Sequence, residues 1–411
     1  MDCGPSTNME QLLKKLEGDK WIWAIVAALS LLSLLAVYSS TGTLAYKYQS
    51  GNAEYYLLKH TLLLMFGLFL MYVAHLMPYR WYARIAQIAL YASIPLLAYT
   101  LIFGSDINDA KRWITLPLIN LSFQTSDLAK LALLMFLART LTVKQQNIKD
   151  FGSAFVPVIL PVFVVCALIM PANLSTAAVL FTTCIIVMFI GRVSWKHIMG
   201  LIVLSAVSGA LFVALLFALP KDMLNETGRM GTWRTRIESF TSDSKDLSYQ
   251  AEQSKIAIAK GGFIGQGPGK SMQRNFLPHP YSDFIYAIII EEYGLIGGAF
   301  VLFLYLAFLY RCIKIVAKSP KAFGAFLAVG LGLSLVFQAI IHMAVSVNLL
   351  PVTGLTLPFV SMGGTSMFFT SIAVGIILSV SRSVDQETAA DINPDETEEK
   401  PTKTEGKLAT A

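Results

Sequence analysis

The sequence predicts an all-α polytopic membrane protein of about ten transmembrane helices, and three observations carry the prediction. Hydrophobic residues make up 55% of the 411-residue chain and charged residues only 14%, against about 25% charged in a soluble protein. Mean hydropathy is +0.60. The apolar residues fall in runs near the roughly 20 residues that a helix needs to cross a bilayer, and cations gather in the short connections between the runs.

In order, the runs are Trp21 to Ser40, Thr61 to Met77, Ile85 to Phe103, Leu128 to Leu141, Phe155 to Met170, Ser175 to Ile190, Ile198 to Leu219, Phe284 to Tyr310, Ala322 to Leu350 and Val360 to Val380. The fourth is short and carries Lys130 and Arg139, so hydropathy alone leaves it open. Charge bias settles it. With ten helices and the N-terminus inside, the inner connections collect Lys14, Lys15, Lys20, Arg80, Arg84, Arg139, Lys144, Lys149, Arg192, Lys196, Arg311, Lys314, Lys318, Lys321 and Arg382, and the outer ones only Lys47, Lys59, Lys111 and Arg112. Omitting the fourth run inverts every later loop and destroys that bias. Both termini are therefore expected in the cytoplasm. The first run lacks a small-residue cleavage pattern and reads as an uncleaved anchor.

Residues 1–20 read as a cytoplasmic amphipathic segment, with Met9, Leu12, Leu13 and Leu16 at helical spacing among Lys14, Lys15 and Glu17. Residues 21–383 form the membrane domain. Residues 384–411, acidic and nearly free of aliphatics, read as a disordered cytoplasmic tail. Cys3, Cys166, Cys184 and Cys312 show no metal or disulfide spacing. The formal charge of +6 comes without a basic patch interleaved with aromatics, so no nucleic-acid partner is expected; membrane lipids are.

Pro220 to Ser282 breaks the rule of short loops: it is one large extracytoplasmic loop between helices seven and eight, rich in Gly, Ser, Pro and aromatics. Long loops are functional or disordered, and recurring aromatics argue for order. The loop ends in Leu277-Pro278-His279-Pro280-Tyr281-Ser282-Asp283-Phe284, where Asp283 is either a helix N-cap or a general base at the membrane face. Glu291 and Glu292 follow along the same helix, where buried carboxylates need partners. Asp127 and Lys130, at i and i+3, share a helix face and form an expected ion pair that either fixes packing or acts directly.

Lys111 and Arg112 beside Trp113 suit lipid phosphate or interfacial anchoring. The run Gly261-Gly262-Phe263-Ile264-Gly265-Gln266-Gly267-Pro268-Gly269-Lys270-Ser271 could bring backbone N–H groups to a phosphate but lacks P-loop spacing. Arg234, Arg236, Lys255, Lys270 and Arg274 in the same loop point either to a polyanionic substrate outside the cytoplasm or to plain water-exposed charges. Gln338 and His342 share a face of the ninth segment, and alone define no site.

Together the motifs resemble the SEDS family (shape, elongation, division and sporulation proteins) from the first span to Arg382. The most specific are Tyr249-Gln250, Gln253-Ser254, Gly261-Gly262, Gly265 and Gly267, then Leu277-Pro278, Asp283-Phe284 and Glu291-Glu292-Tyr293-Gly294. Leu350-Pro351-Val352-Thr353-Gly354 and Leu357-Pro358-Phe359-Val360-Ser361 with Gly363-Gly364 follow. The chain departs from the family pattern at Asp109, at Asp127 for Glu, at Ala172-Asn173, at His279 for Glu, at Tyr281 for His, at Ser282 for Thr, at His342 and at Asn348.

The resemblance implies a peptidoglycan glycosyltransferase that polymerises lipid II at the outer face of the cytoplasmic membrane, together with a class B penicillin-binding protein and other divisome proteins. It implies Asp283 as catalytic base or ligand of a divalent cation, Mg or Mn. Arg234, Arg236, Lys270, Lys111, Arg112 and Ser361 are then expected at the substrate, and Asp127, Lys130, Glu291, Glu292 and His342 in support. Compact length and the acidic tail favour the division branch, at the septum, over the elongation branch. The runner-up is a lipid-linked oligosaccharide flippase, and a third reading is a scaffold for the penicillin-binding protein.

Overall fold

The computed structural model describes residues 17–48, 52–106, 111–116, 121–220, 230–241 and 249–392. Among the described residues ten long helices build the bundle: α1 (Lys20–Ser40), α2 (Ala53–Leu76), α3 (Tyr79–Phe103), α4 (Thr125–Val143), α5 (Val156–Ile169), α6 (Leu174–Ile190), α7 (Trp195–Ala218), then, after α8 (Met230–Thr241) and α9 (Tyr249–Gly261) of the large loop, α10 (Ile285–Lys318), α11 (Ala322–Ser346) and α12 (Ser366–Ile392). Among the described residues eight helices are long and apolar enough to cross a membrane, and α6 is a shorter apolar one. The tenth is α4. Its charges are accommodated inside the protein, Lys130 by Asp127 and Arg139 by the Ala83 carbonyl of α3 at 3.0 Å.

α11 and α12 are the innermost helices, and α7 the outermost, with only Ile198 and Leu216 buried. α12 lies along α2 at a distance only glycine permits, since a Cβ on Gly375 would stand 2.3 Å from the Met71 carbonyl oxygen. At one end of the bundle Arg311 pairs with Asp19 at 2.6 Å and Arg382 reaches Glu17 at 3.8 Å. The two described ends of the chain therefore meet on one side, as the charge bias requires. The predicted amphipathic segment before Glu17 lies outside the described residues, as does the tail beyond Ile392.

Three features depart from the expectation. Between α3 and α4 lies a small antiparallel sheet, β1 (Ser105–Asp106), β2 (Lys111–Leu116) and β3 (Leu121–Gln124), in the order β1-β2-β3, with Trp113 opposite Gln124 and Ile114 opposite Phe123. Residues 384–392, assigned to the tail, continue α12. The helix persists because Glu387 pairs with Lys321 and Arg80. The last span starts at Ser366 rather than Val360, because 347–365 runs irregularly over the cavity described below.

α10 is broken at Gly294, whose φ of 70° and ψ of −173° are non-helical. A break at membrane depth strands backbone groups that water cannot reach. The glycine run supplies their partners: Gln266 and Gly267 donate to the carbonyls of Glu291 and Glu292, each at 2.9 Å, and Leu295 donates to the Gly262 carbonyl at 2.9 Å. The approach is so close that a Cβ on Gly294 would fall 2.2 Å from the Phe263 oxygen. These glycines serve the helix break, not a phosphate.

Candidate active site

At the end of the bundle away from the chain termini lies a cavity of about 980 Å³. One wall is the start of α2, with Tyr55, Leu58, Lys59 and Leu62; the others come from the sheet (Arg112, Trp113, Ser122, Gln124), the first turns of α4 and α6, Arg236 of α8, Gln338 of α11 and the segments 279–283, 354–356 and 362–366. Five of the residues singled out from the sequence meet here: Asp283, Asp127, Lys130, Arg112 and Arg236.

Asp283 is not a helix cap. Phe284 occupies the N-cap position of α10 and no side chain caps that end. Asp283 instead lines the cavity, held by a tight turn: its N–H donates to the His279 carbonyl at 3.2 Å, and the Ser282 hydroxyl donates to its Oδ1 at 3.1 Å. His279, between two prolines, adopts φ 53°, a left-handed conformation that costs a non-glycine residue about 1–3 kcal/mol. Next to the turn Phe284, 1% exposed, packs with Leu277 and Ile288. The carboxylate is thus fixed by its neighbours and left open to the cavity.

The floor is a polar chain. Lys130 Nζ stands 2.8 Å from Asp127 Oδ1 and donates to Gln338 Oε1 at 3.2 Å, and Gln338 Nε2 donates to the Thr356 carbonyl at 2.8 Å. Two of the three ammonium protons are therefore committed to protein. Arg112 Nε donates to the Ala172 carbonyl at 2.9 Å, and Arg236 Nη1 to that of Val352 at 3.0 Å. Burial draws the Arg236 guanidinium down from its ordinary value and the charge of Asp283 holds it up. Lys59, Arg112, Lys130 and Arg236 against Asp127 and Asp283 leave the lining cationic.

Other predicted residues are placed elsewhere. Arg234 pairs with Glu238 at 2.8 Å and donates to the Leu216 and Leu219 carbonyls, tying α8 to the end of α7 rather than facing substrate. Lys270 is exposed on the glycine run and does not line the cavity, since its turn is committed to the α10 break. Lys111 opens β2, with its side chain outside what the structure describes. Ser361 stands behind the site, donating to the Ser282 carbonyl at 2.7 Å and accepting from the Leu357 N–H at 2.8 Å.

Glu291, Glu292 and His342 do not line the cavity. Glu291 accepts from the Ser271 hydroxyl and from the N–H groups of Met272, at 3.0 Å, and Gln273; Glu292 accepts from the Ser39 hydroxyl. The two buried carboxylates therefore hold the 271–273 turn and α1 against α10. His342 places Nδ1 2.7 Å from the Leu355 carbonyl and so braces the segment over the cavity. Sequence reasoning did not assign Lys59, Thr356 or Thr365 to a site, and it noted Gln338 on one face with His342 without building a site from them. Asn173 caps α6 by accepting from the Thr176 N–H at 3.2 Å.

Fold and cavity define a multi-pass membrane protein with a charged chamber at one end of its helix bundle. The chain belongs to the FtsW/RodA/SpoVE family of cell cycle proteins, whose model it matches over residues 19–386. It is 34% identical over 375 residues to the stage V sporulation protein E of Bacillus subtilis, covering 90% of this chain and 98% of that one. It is 33% identical over 370 residues to a protein of Hydrogenovibrio crunogenus named probable peptidoglycan glycosyltransferase FtsW, covering 88% and 91%. Among solved structures, a chain of a peptidoglycan synthase complex superimposes with a TM-score of 0.71 at 24% identity, covering 90% of this chain and 99% of that one. The rod shape determining protein RodA of Thermus thermophilus does so with 0.62 at 24% identity, covering 89% and 97%. At such identities these structures speak for the fold.

Proposed function

We propose that the chain is a peptidoglycan glycosyltransferase that polymerises lipid II at the outer face of the cytoplasmic membrane. The observation that carries this is Asp283, uncapped and open to a cation-lined cavity. The donor sugar is α-linked to a polyprenyl diphosphate and the product β-1,4-linked, so one inverting displacement suffices. Asp283 takes the proton of the acceptor hydroxyl, the oxygen bonds to the anomeric carbon, and the sugar–diphosphate bond breaks with its electron pair on the departing diphosphate. Arg236, Arg112 and Lys59 stabilise that charge. Among the described residues no three of His, Cys, Asp and Glu gather; a divalent cation, Mg or Mn, would be held by Asp283 and would supply charge neutralisation for the departing diphosphate.

A class B penicillin-binding protein is the expected partner, supported by the likeness to a chain of a synthase complex that couples polymerization and crosslinking. Relatives named FtsW favour the division branch, with other divisome proteins at the septum, over an elongation polymerase. A flippase would use broken helices to line its path, whereas the break in α10 is filled by the glycine run. The test is glycan polymerisation from purified lipid II with the cognate penicillin-binding protein. Polymer from wild type and none from a membrane-inserted Asp283→Ala variant is expected; equal polymer from both would remove Asp283 from the mechanism.

A further inference from the structure

Among the described residues His279 is the one that lines the cavity with an imidazole, and its backbone conformation is costly. Two things follow from that conformation. The His279 carbonyl turns inward to accept the N–H groups of Ser282, at 3.1 Å, and Asp283, at 3.2 Å. The imidazole meanwhile stands at the cavity edge beside Tyr281, Nδ1 3.1 Å from the phenol oxygen and the two rings edge-on with centroids 5.9 Å apart. A histidine whose one nitrogen is fixed offers the other in a set direction. Glycine would hold the same turn without strain, so the turn alone does not explain an imidazole here.

We propose that His279, oriented by Tyr281, is a specificity-determining residue that hydrogen-bonds a diphosphate oxygen of the lipid-linked substrate at the cavity rim. This rests on reading the cavity as a lipid diphosphate site. The same cavity is lined by Arg236 of α8, Lys59 of α2 and Arg112 of β2, and none of these is altered when residue 279 alone is changed.

The experiment measures binding of undecaprenyl diphosphate to the purified full-length protein in detergent, and the KM for lipid II with the penicillin-binding protein present. His279→Gly keeps the left-handed turn; His279→Glu adds a carboxylate. His279→Gly is expected to weaken binding by roughly fivefold to tenfold and to raise KM more than it lowers kcat. His279→Glu should weaken binding further, and Tyr281→Phe partly. Equal affinity for wild type and His279→Gly overturns the proposal, as does a loss confined to kcat. A wild type that fails to bind undecaprenyl diphosphate overturns instead the diphosphate reading of the whole cavity.

Discussion

The Ser361 hydroxyl donates to the Ser282 carbonyl at 2.7 Å, joining the segment before α12 to the peptide that carries Asp283 across 79 positions of sequence. The same oxygen accepts the buried Leu357 N–H at 2.8 Å. Ser361→Ala strands both groups, at about 1–3 kcal/mol for a buried unpaired donor. The expected result is a lower melting temperature and about a tenfold slower polymerisation, with Ser361→Thr closer to wild type. Thermal unfolding and a lipid II assay on the same preparation check it.

Asp283→Asn should abolish polymerisation without destabilising the fold. Asp283 caps nothing, and substitutions that break no structural contact change stability by about 0.5 kcal/mol or less. A large drop in melting temperature would point to a structural role instead.

Arg234 and Arg236, two residues apart, should separate cleanly. Arg234→Ala removes the tie between α8 and α7 and is expected to lower the melting temperature while leaving the KM for lipid II near wild type. Arg236→Ala should raise KM severalfold. Arg236→Lys, which keeps a cation but not the guanidinium fork of donors, should recover part of that loss.

Removing one partner of a buried ion pair costs about 3–5 kcal/mol, more than replacing both with neutral groups. Asp127 is 4% exposed and pairs with Lys130 at 2.8 Å. Lys130→Ala should therefore lower yield and melting temperature more than the double variant Asp127→Asn, Lys130→Gln does. The order of melting temperatures decides it.

Gly294→Ala puts a Cβ 2.2 Å from the Phe263 oxygen at a φ of 70°, and should leave little folded protein in the membrane. Gly209→Ala in α7, where a Cβ meets nothing within 4 Å, should be tolerated. Fluorescence-detected size exclusion of the two variants gives the comparison.

The helices were legible because apolar length and charge bias are properties of each segment alone. Asp283 was legible from its motif, and the Asp127–Lys130 pair from spacing on one helix. Arg234 and Lys270 were misplaced for a shared reason: a cation in a loop carries no sign of whether it will meet a carboxylate, a carbonyl or a cavity. Gln338, Thr356 and Thr365 reach the cavity only through tertiary packing of α11 and the segment before α12, which no local pattern encodes. The glycine run was misread because positive φ permits close approach to any backbone acceptor, and here the acceptors belong to α10. The sheet escaped because two of its strands are too short to show a period of two.

The repair of the α10 break bears on the order in which the chain is assembled. Residues 262–267 leave the ribosome before Gly294, so the strip that completes the broken helix is already made when that helix forms. Closure spans only some thirty positions, a cheap loop to shut. The helix carrying Glu291 and Glu292 needs no late visitor from a distant part of the chain, and its most exposed backbone groups have partners waiting from the start.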